Sequence, residues 1–137
     1  MSQPLTYNSE FLPQVQLAII LSDNPQYETL KPYFEEYGYG FLVPGKNLVI
    51  IDGEQFINNF NKDVLKFIEA HEVSHIIMGH DGPRSENEEL DADLGAYILL
   101  DKSGYKGSIK SLLKHFKNRH GIKFEESLLE RVKKYFS

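Results

Sequence analysis

The chain has 137 residues, 41% of them hydrophobic and 12% aromatic, with a net charge of −5 and no cysteine. The length suits one compact domain with a real core, and the lack of cysteine excludes disulfides, thiolate metal ligands and a thiol nucleophile. The longest apolar run, Leu17-Ala18-Ile19-Ile20-Leu21, is far short of the ~18–20 residues that cross a bilayer.

The first residues show neither a basic start nor an apolar segment, so no secretory leader is expected. Absence of cysteine fits a reducing compartment, and a cytoplasmic protein without membrane contact is the expectation. Charge is unevenly spread. Residues 1–101 carry 5 basic and 17 acidic side chains, and residues 102–137 carry 10 basic and 3 acidic. A basic end can meet nucleic acid or an acidic partner. Because the whole domain is acidic, this one is read as complementing its own fold, and nucleic-acid binding is not expected.

In chain order, Ser9 to Leu21 reads as a helix, with Phe11, Val15, Ala18 and Ile19 on one side. Asn24-Pro25 signals a second helix start, a capping Asn followed by Pro. That helix runs to about Tyr37, with Pro32 as a break or kink and Gly38 and Gly40 at its end. The period then changes. Gly40–Val43 and Asn47–Ile51 flank Pro44-Gly45-Lys46, which reads as an antiparallel hairpin, and a short helical turn covers Glu54 to Phe60.

The next helix begins at Asn61 or Lys62, carries Val64, Leu65, Ile68, Ile76 and Ile77, and stops at Gly79. His80 to Arg84 is a loop. Ser85-Glu86-Asn87-Glu88 is a capping box, opening a helix to about Asp101 with Leu90, Leu94, Tyr97 and Ile98 as its core stripe. Two further helices follow at about Ser108–Arg119 and Glu125–Phe136. The first buries Ile109, Leu112, Leu113 and Phe116 and lines its outside with Lys106, Lys110, Lys114 and Lys117. The predicted fold is one α+β domain over residues 1–137, mostly helical. A small antiparallel sheet packs beside the helix that carries the motif, the core of the site spans about residues 38–101, and a basic helical part follows.

His71-Glu72-Val73-Ser74-His75 stands inside a predicted helix. Residues four apart share a helix face, so His71 and His75 can present two imidazole nitrogens to one ion. Glu72, one position round, can reach a water on that ion. With five His and thirteen Glu in the chain, roughly 0.02 matches arise by chance. The bland alternative is two surface histidines on an amphipathic helix.

A hydrolytic zinc site takes three protein ligands and leaves a place for water. Met78 and Asp81 stand where an extended metzincin pattern needs Gly and His, and His80 is off by one, so that class is rejected. Glu89-Leu90-Asp91-Ala92-Asp93 places two acids four apart on the capped helix. Glu89 can complete a His₂Glu site, and Asp93 can accept a hydrogen bond from the outer nitrogen of a ligand histidine. Ala96 and Leu100 continue that face, and Ala96 is small enough to let the two helices lie close. The plainer reading of these acids is a solvated face favoured by the helix dipole. Glu88 is the rival ligand and is assigned to the capping box instead.

These two motifs together resemble the gluzincin zinc metallopeptidases, and more narrowly the ImmA/IrrE group of small bacterial and phage zinc peptidases. The Leu48–Ile51 strand and the Phe67-Ile68-Glu69-Ala70 lead-in look similar too. The resemblance covers about residues 38–101. Asp91 stands where that group commonly has Glu, Asp93 where it commonly has Asn, and Gly79-His80 where it often has a histidine four past the motif.

The resemblance implies a zincin-like minimal fold and a cytoplasmic zinc endopeptidase, with one Zn²⁺ per chain held by His71, His75 and Glu89, Glu72 as catalytic base and Asp93 behind a ligand. It implies a protein substrate, such as a helix-turn-helix transcriptional repressor. Tyr39, His80 and Arg84 are the candidates for an oxyanion donor. The alternatives are a non-enzymatic, metal-stabilised regulatory or protein-binding domain, and nucleic-acid binding through the lysine-rich helix and Arg119.

Overall fold

Where a first helix is expected, the chain forms two strands, β1 (Leu5–Asn8) and β2 (Gln16–Ile20), paired antiparallel. The loop between them is closed by its own hydrogen bonds. The Ser9 amide donates to the Val15 carbonyl at 2.8 Å, the Phe11 amide to Ser9 Oγ at 3.1 Å, and Asn8 Nδ2 to the Pro13 carbonyl at 2.7 Å. Helical spacing of Phe11, Val15, Ala18 and Ile19 misleads because β2 is an inner strand. Leu17, Ala18 and Ile20 are all buried, and a strand covered on both faces reads as an unbroken apolar run rather than an alternation.

The structure, a computed structural model, describes residues 3–58, 61–80 and 85–137. By internal contacts they form two units, 1–61 and 62–137. The fold is α+β and mostly helical, with one small sheet.

In the first unit, α1 (Tyr27–Tyr37) follows β2 and runs through Pro32 without ending there. Asn24 Oδ1 accepts from the Gln26 amide at 2.9 Å, so the Asn-Pro signal closes a turn just before the helix. Gly38, at φ 91°, stops it in a conformation other residues seldom adopt. The expected hairpin forms as β3 (Gly40–Leu42) and β4 (Leu48–Asp52), antiparallel, with Gly45 at φ 74° in its turn. Strand order is β1-β2-β4-β3, and β2 pairs parallel with β4. The sheet is therefore mixed, antiparallel only at its two edges. Ala18, Ile20, Tyr27 and Phe34 form the core between α1 and one sheet face.

Asp52 ends β4 and turns the chain into α2 (Gly53–Asn58), its Oδ1 accepting from the Glu54 amide at 3.1 Å and from Tyr27 Oη at 3.0 Å. Burial and that bond to Asp52 push the Tyr27 phenol up to about 12. Folding thus favours the protonated phenol. Its contribution is complete below the ordinary tyrosine value near 10 and is lost as pH rises through about 12. Denaturation followed between pH 9 and 12 is expected to show this loss, and Tyr27→Phe is expected to flatten it while costing about 1–3 kcal/mol at neutral pH.

The second unit is a helical assembly in which α3 (Lys62–Ile77), α4 (Glu86–Ser103) and α5 (Lys106–His120) pack on one another. A 3-10 turn (Glu126–Leu129) and α6 (Glu130–Lys133) follow, a shorter and tighter ending than one helix over 125–136. Leu94, Phe116, Leu129 and Val132 form a core, with Leu90, Tyr97 and Ile98 packed against it, so the expected α4 stripe is in place. α3 departs from a one-sided stripe. Nine consecutive residues, Phe67 to His75, are buried, so the helix is enclosed on every side where the motif lies.

α4 begins with the expected capping box. The Glu88 amide donates to Ser85 Oγ and the Ser85 amide to Glu88 Oε1, each at 3.1 Å. Ala96 and Leu100 are fully buried, and their neighbour Gly95 lies close against α3. A Cβ there would stand 2.8 Å from Ser74 Oγ, 2.9 Å from Ser74 Cβ and 2.6 Å from Phe136 Cζ. Gly95→Ala is therefore expected to force α4 from α3 and lower stability by about 1–3 kcal/mol in a denaturant melt.

Candidate metal centre

Burying ionisable groups is costly unless they are paired or hold a cation. α3 nonetheless buries Glu69, His71, Glu72 and His75 in succession. Glu69, at 0% exposure, is paired with Lys66 Nζ at 3.0 Å. The histidines are met from α4. His71 Nε2 lies 3.2 Å from Glu89 Oε2, His75 Nε2 lies 3.1 Å from Glu89 Oε1, and the two Nε2 atoms are 3.2 Å apart. Two ring nitrogens and a carboxylate thus converge on one point, and the group could hold a metal ion.

Behind His71 stands Asp93, fully buried, with Oδ1 at 2.7 Å from His71 Nδ1. An ionised carboxylate only accepts, so Nδ1 must carry the hydrogen. The lone pair of a neutral His71 then sits on Nε2, facing Glu89 and His75. Burial alone would keep His71 neutral, but the charge and hydrogen bond of Asp93, the bond to Glu89 and the charge of Glu72 outweigh it and raise His71 to about 10. The carboxylates respond in kind. Burial would raise Glu89, yet its bonds to His71 and His75 and their charges hold it far below the usual carboxylate range. Burial would raise Asp93 too, but the charge of His71, the bonds from His120 and His71 and the charge of Arg119 hold it well below that range.

The donor set fits zinc. Bonds of about 2.0–2.2 Å in a tetrahedral arrangement set ligand atoms about 3.3–3.5 Å apart, close to the 3.1–3.2 Å separations here. Two imidazoles and one carboxylate make the ligand set of a site that keeps a position open. Glu72 is buried in the same turn of α3. Glu88 is held by the cap at Ser85, as its assignment required.

Of the other candidates, His80 Nδ1 lies 2.9 Å from His75 Nδ1, the ring nitrogen turned away from the ligand cluster. Tyr39 belongs to the first unit, where its carbonyl accepts from the Asp52 amide at 2.9 Å. Arg84 lies outside the described residues. Asp91 is bonded to Arg131, with Arg131 Nε at 2.7 Å.

Two residues at the site escaped the sequence reading. Arg119 Nη1 lies 2.9 Å from both oxygens of Asp93, and His120 Nε2 lies 2.7 Å from Oδ2. The signal was present for His120, which follows buried Phe116 by four residues and so shares its inward face. Arg119, which continues the run of exposed basic residues on α5, carries no such signal. His115, also on α5, packs its ring 5.5 Å from that of Phe67, and burial together with the charge of Arg119 lowers its pKa.

Compared with known proteins, the chain matches no family model, no curated protein and no solved structure. No helix among the described residues is long and apolar enough to cross a membrane.

Proposed function

We propose that the chain is a zinc-dependent endopeptidase of the gluzincin type, resembling the ImmA/IrrE group, that cleaves a cytoplasmic protein regulator such as a transcriptional repressor. The observation that carries this reading is the convergence of His71 Nε2, His75 Nε2 and the Glu89 carboxylate, with Glu72 buried beside them. His71, His75 and Glu89 would hold the ion. Bound Zn²⁺ supplies the Lewis acidity that acidifies a water molecule and polarises a peptide carbonyl.

The chain's own groups do the rest. Asp93 keeps the His71 hydrogen on Nδ1, so that Nε2 stays available to the ion. Glu72 takes a proton from the attacking water and returns it to the leaving amine. A purely structural zinc site needs no such carboxylate and usually closes with four protein ligands, so Glu72 argues for an enzyme over a non-enzymatic domain.

Metal analysis of protein purified without added metal tests this reading first, with one zinc per chain expected. Incubation with helix-turn-helix repressors encoded beside the gene is expected to give a discrete cleavage that a chelator stops and zinc restores. Protein that neither contains nor takes up zinc would end the proposal.

A further inference from the structure

The ligand set by itself asks nothing of α5, yet α5 supplies two of the three side chains that grip Asp93. That carboxylate has no solvent exposure. Oδ1 receives His71 Nδ1 at 2.7 Å and Arg119 Nη1 at 2.9 Å, while Oδ2 receives the same Nη1 at 2.9 Å and His120 Nε2 at 2.7 Å. Arg119 and His120 are neighbours, about 100° apart round the helix, and they reach the carboxylate by different routes. Arg119, its side chain 34% exposed, straddles both oxygens from the solvent side. His120, 9% exposed, comes from the packed side, with its ring 4.8 Å from that of Phe116. Both sit in the last turn of α5, which ends at Gly121 in a left-handed conformation.

We infer that Arg119 and His120 are positioning residues of the metal centre, clamping Asp93 so that it holds His71 with Nδ1–H inward to the carboxylate and Nε2 toward His75 and Glu89. The inference rests on the reading of His71, His75 and Glu89 as metal ligands. With His71 as its one partner, the Asp93 carboxylate can turn about its Cβ–Cγ bond and the ring loses its fixed direction. With both oxygens held from α5, it cannot. Charge-assisted bonds at these distances are the strong kind, and outer contacts of this sort are worth about 10–100-fold in metal affinity. A helix that contributes no ligand thereby sets how well the ligands work.

The test uses the full chain, Zn²⁺ as the probe, chelator competition for affinity and ¹⁵N NMR of the His71 ring for its tautomer. Arg119→Ala removes the straddling cation. His120→Phe keeps a ring against Phe116 and deletes the donor. Each is expected to weaken zinc binding about 10–100-fold with native helicity retained, and to broaden or shift the His71 Nδ1–H signal. His120→Gln, which restores an N–H donor, is expected to recover most of the affinity. Wild-type affinity and an unchanged His71 signal in Arg119→Ala and His120→Phe would overturn the inference while the zinc reading stands. A lower melting temperature with zinc affinity unchanged would also overturn it, marking the pair as structural only. Wild-type protein that binds no zinc would remove the reading beneath it.

Discussion

Glu72→Gln is expected to leave zinc bound and the fold intact while peptide cleavage falls about 10²–10⁴-fold, the range that a positioned general base contributes. The substitution keeps size and hydrogen-bonding capacity but cannot take up a proton. The case for it lies in burial. Glu72 is only 8% exposed, on the same turn of α3 as His71 and His75, and its charge acts directly on His71. Stoichiometric zinc with lost turnover is the diagnostic pair of results. Turnover that survives the substitution removes Glu72 as the base.

Glu89→Ala is expected to reduce zinc affinity by more than the ~10–100-fold that outer contacts are worth, whereas Glu88→Ala should bind zinc as the wild type does. The neighbours differ in what they face. Glu89 spans both histidines, at 3.2 and 3.1 Å, while Glu88 turns back to the Ser85 amide. Loss of the cap partner costs stability instead, about 0.5–2 kcal/mol, read as a lower melting temperature. Glu89→Ala also leaves the two Nε2 atoms facing each other at 3.2 Å without the carboxylate that reconciles them. Zinc titration by calorimetry separates the two variants, and the reverse ranking would move the ligand role to Glu88.

The candidate ligands were legible because the motif is local. Four residues along a helix bring His71 beneath His75, and the capping box fixes where α4 starts, so Glu89 and Asp93 fall on one face by counting. Other features depend on partners distant in the chain. The close contact of Gly95 with Ser74 and Phe136 is one, because which small residue meets them depends on how α4 is rotated against its neighbours. Arg119 and His120 reach Asp93 across 26 and 27 residues, and no spacing rule predicts that. β2 departs from the expected helix for a different reason. Helical and strand periods cannot be told apart in a short apolar run when both faces of a strand are covered, and only the pairing with β1 and β4 decides it. The hairpin at Gly45 was legible, since its turn residues carry the geometry themselves.

The three candidate ligands are unequally sheltered: the side chains of His71 and His75 are 9% and 1% exposed, and that of Glu89 is 32% exposed. The imidazoles ride on a stretch of helix enclosed all round, which opens only when much of the unit does. Glu89 sits in the first turn of its helix, where a side chain can swing out without unravelling anything. Should the group hold an ion, Glu89 would be the ligand on the solvent side, with the two rings standing behind it.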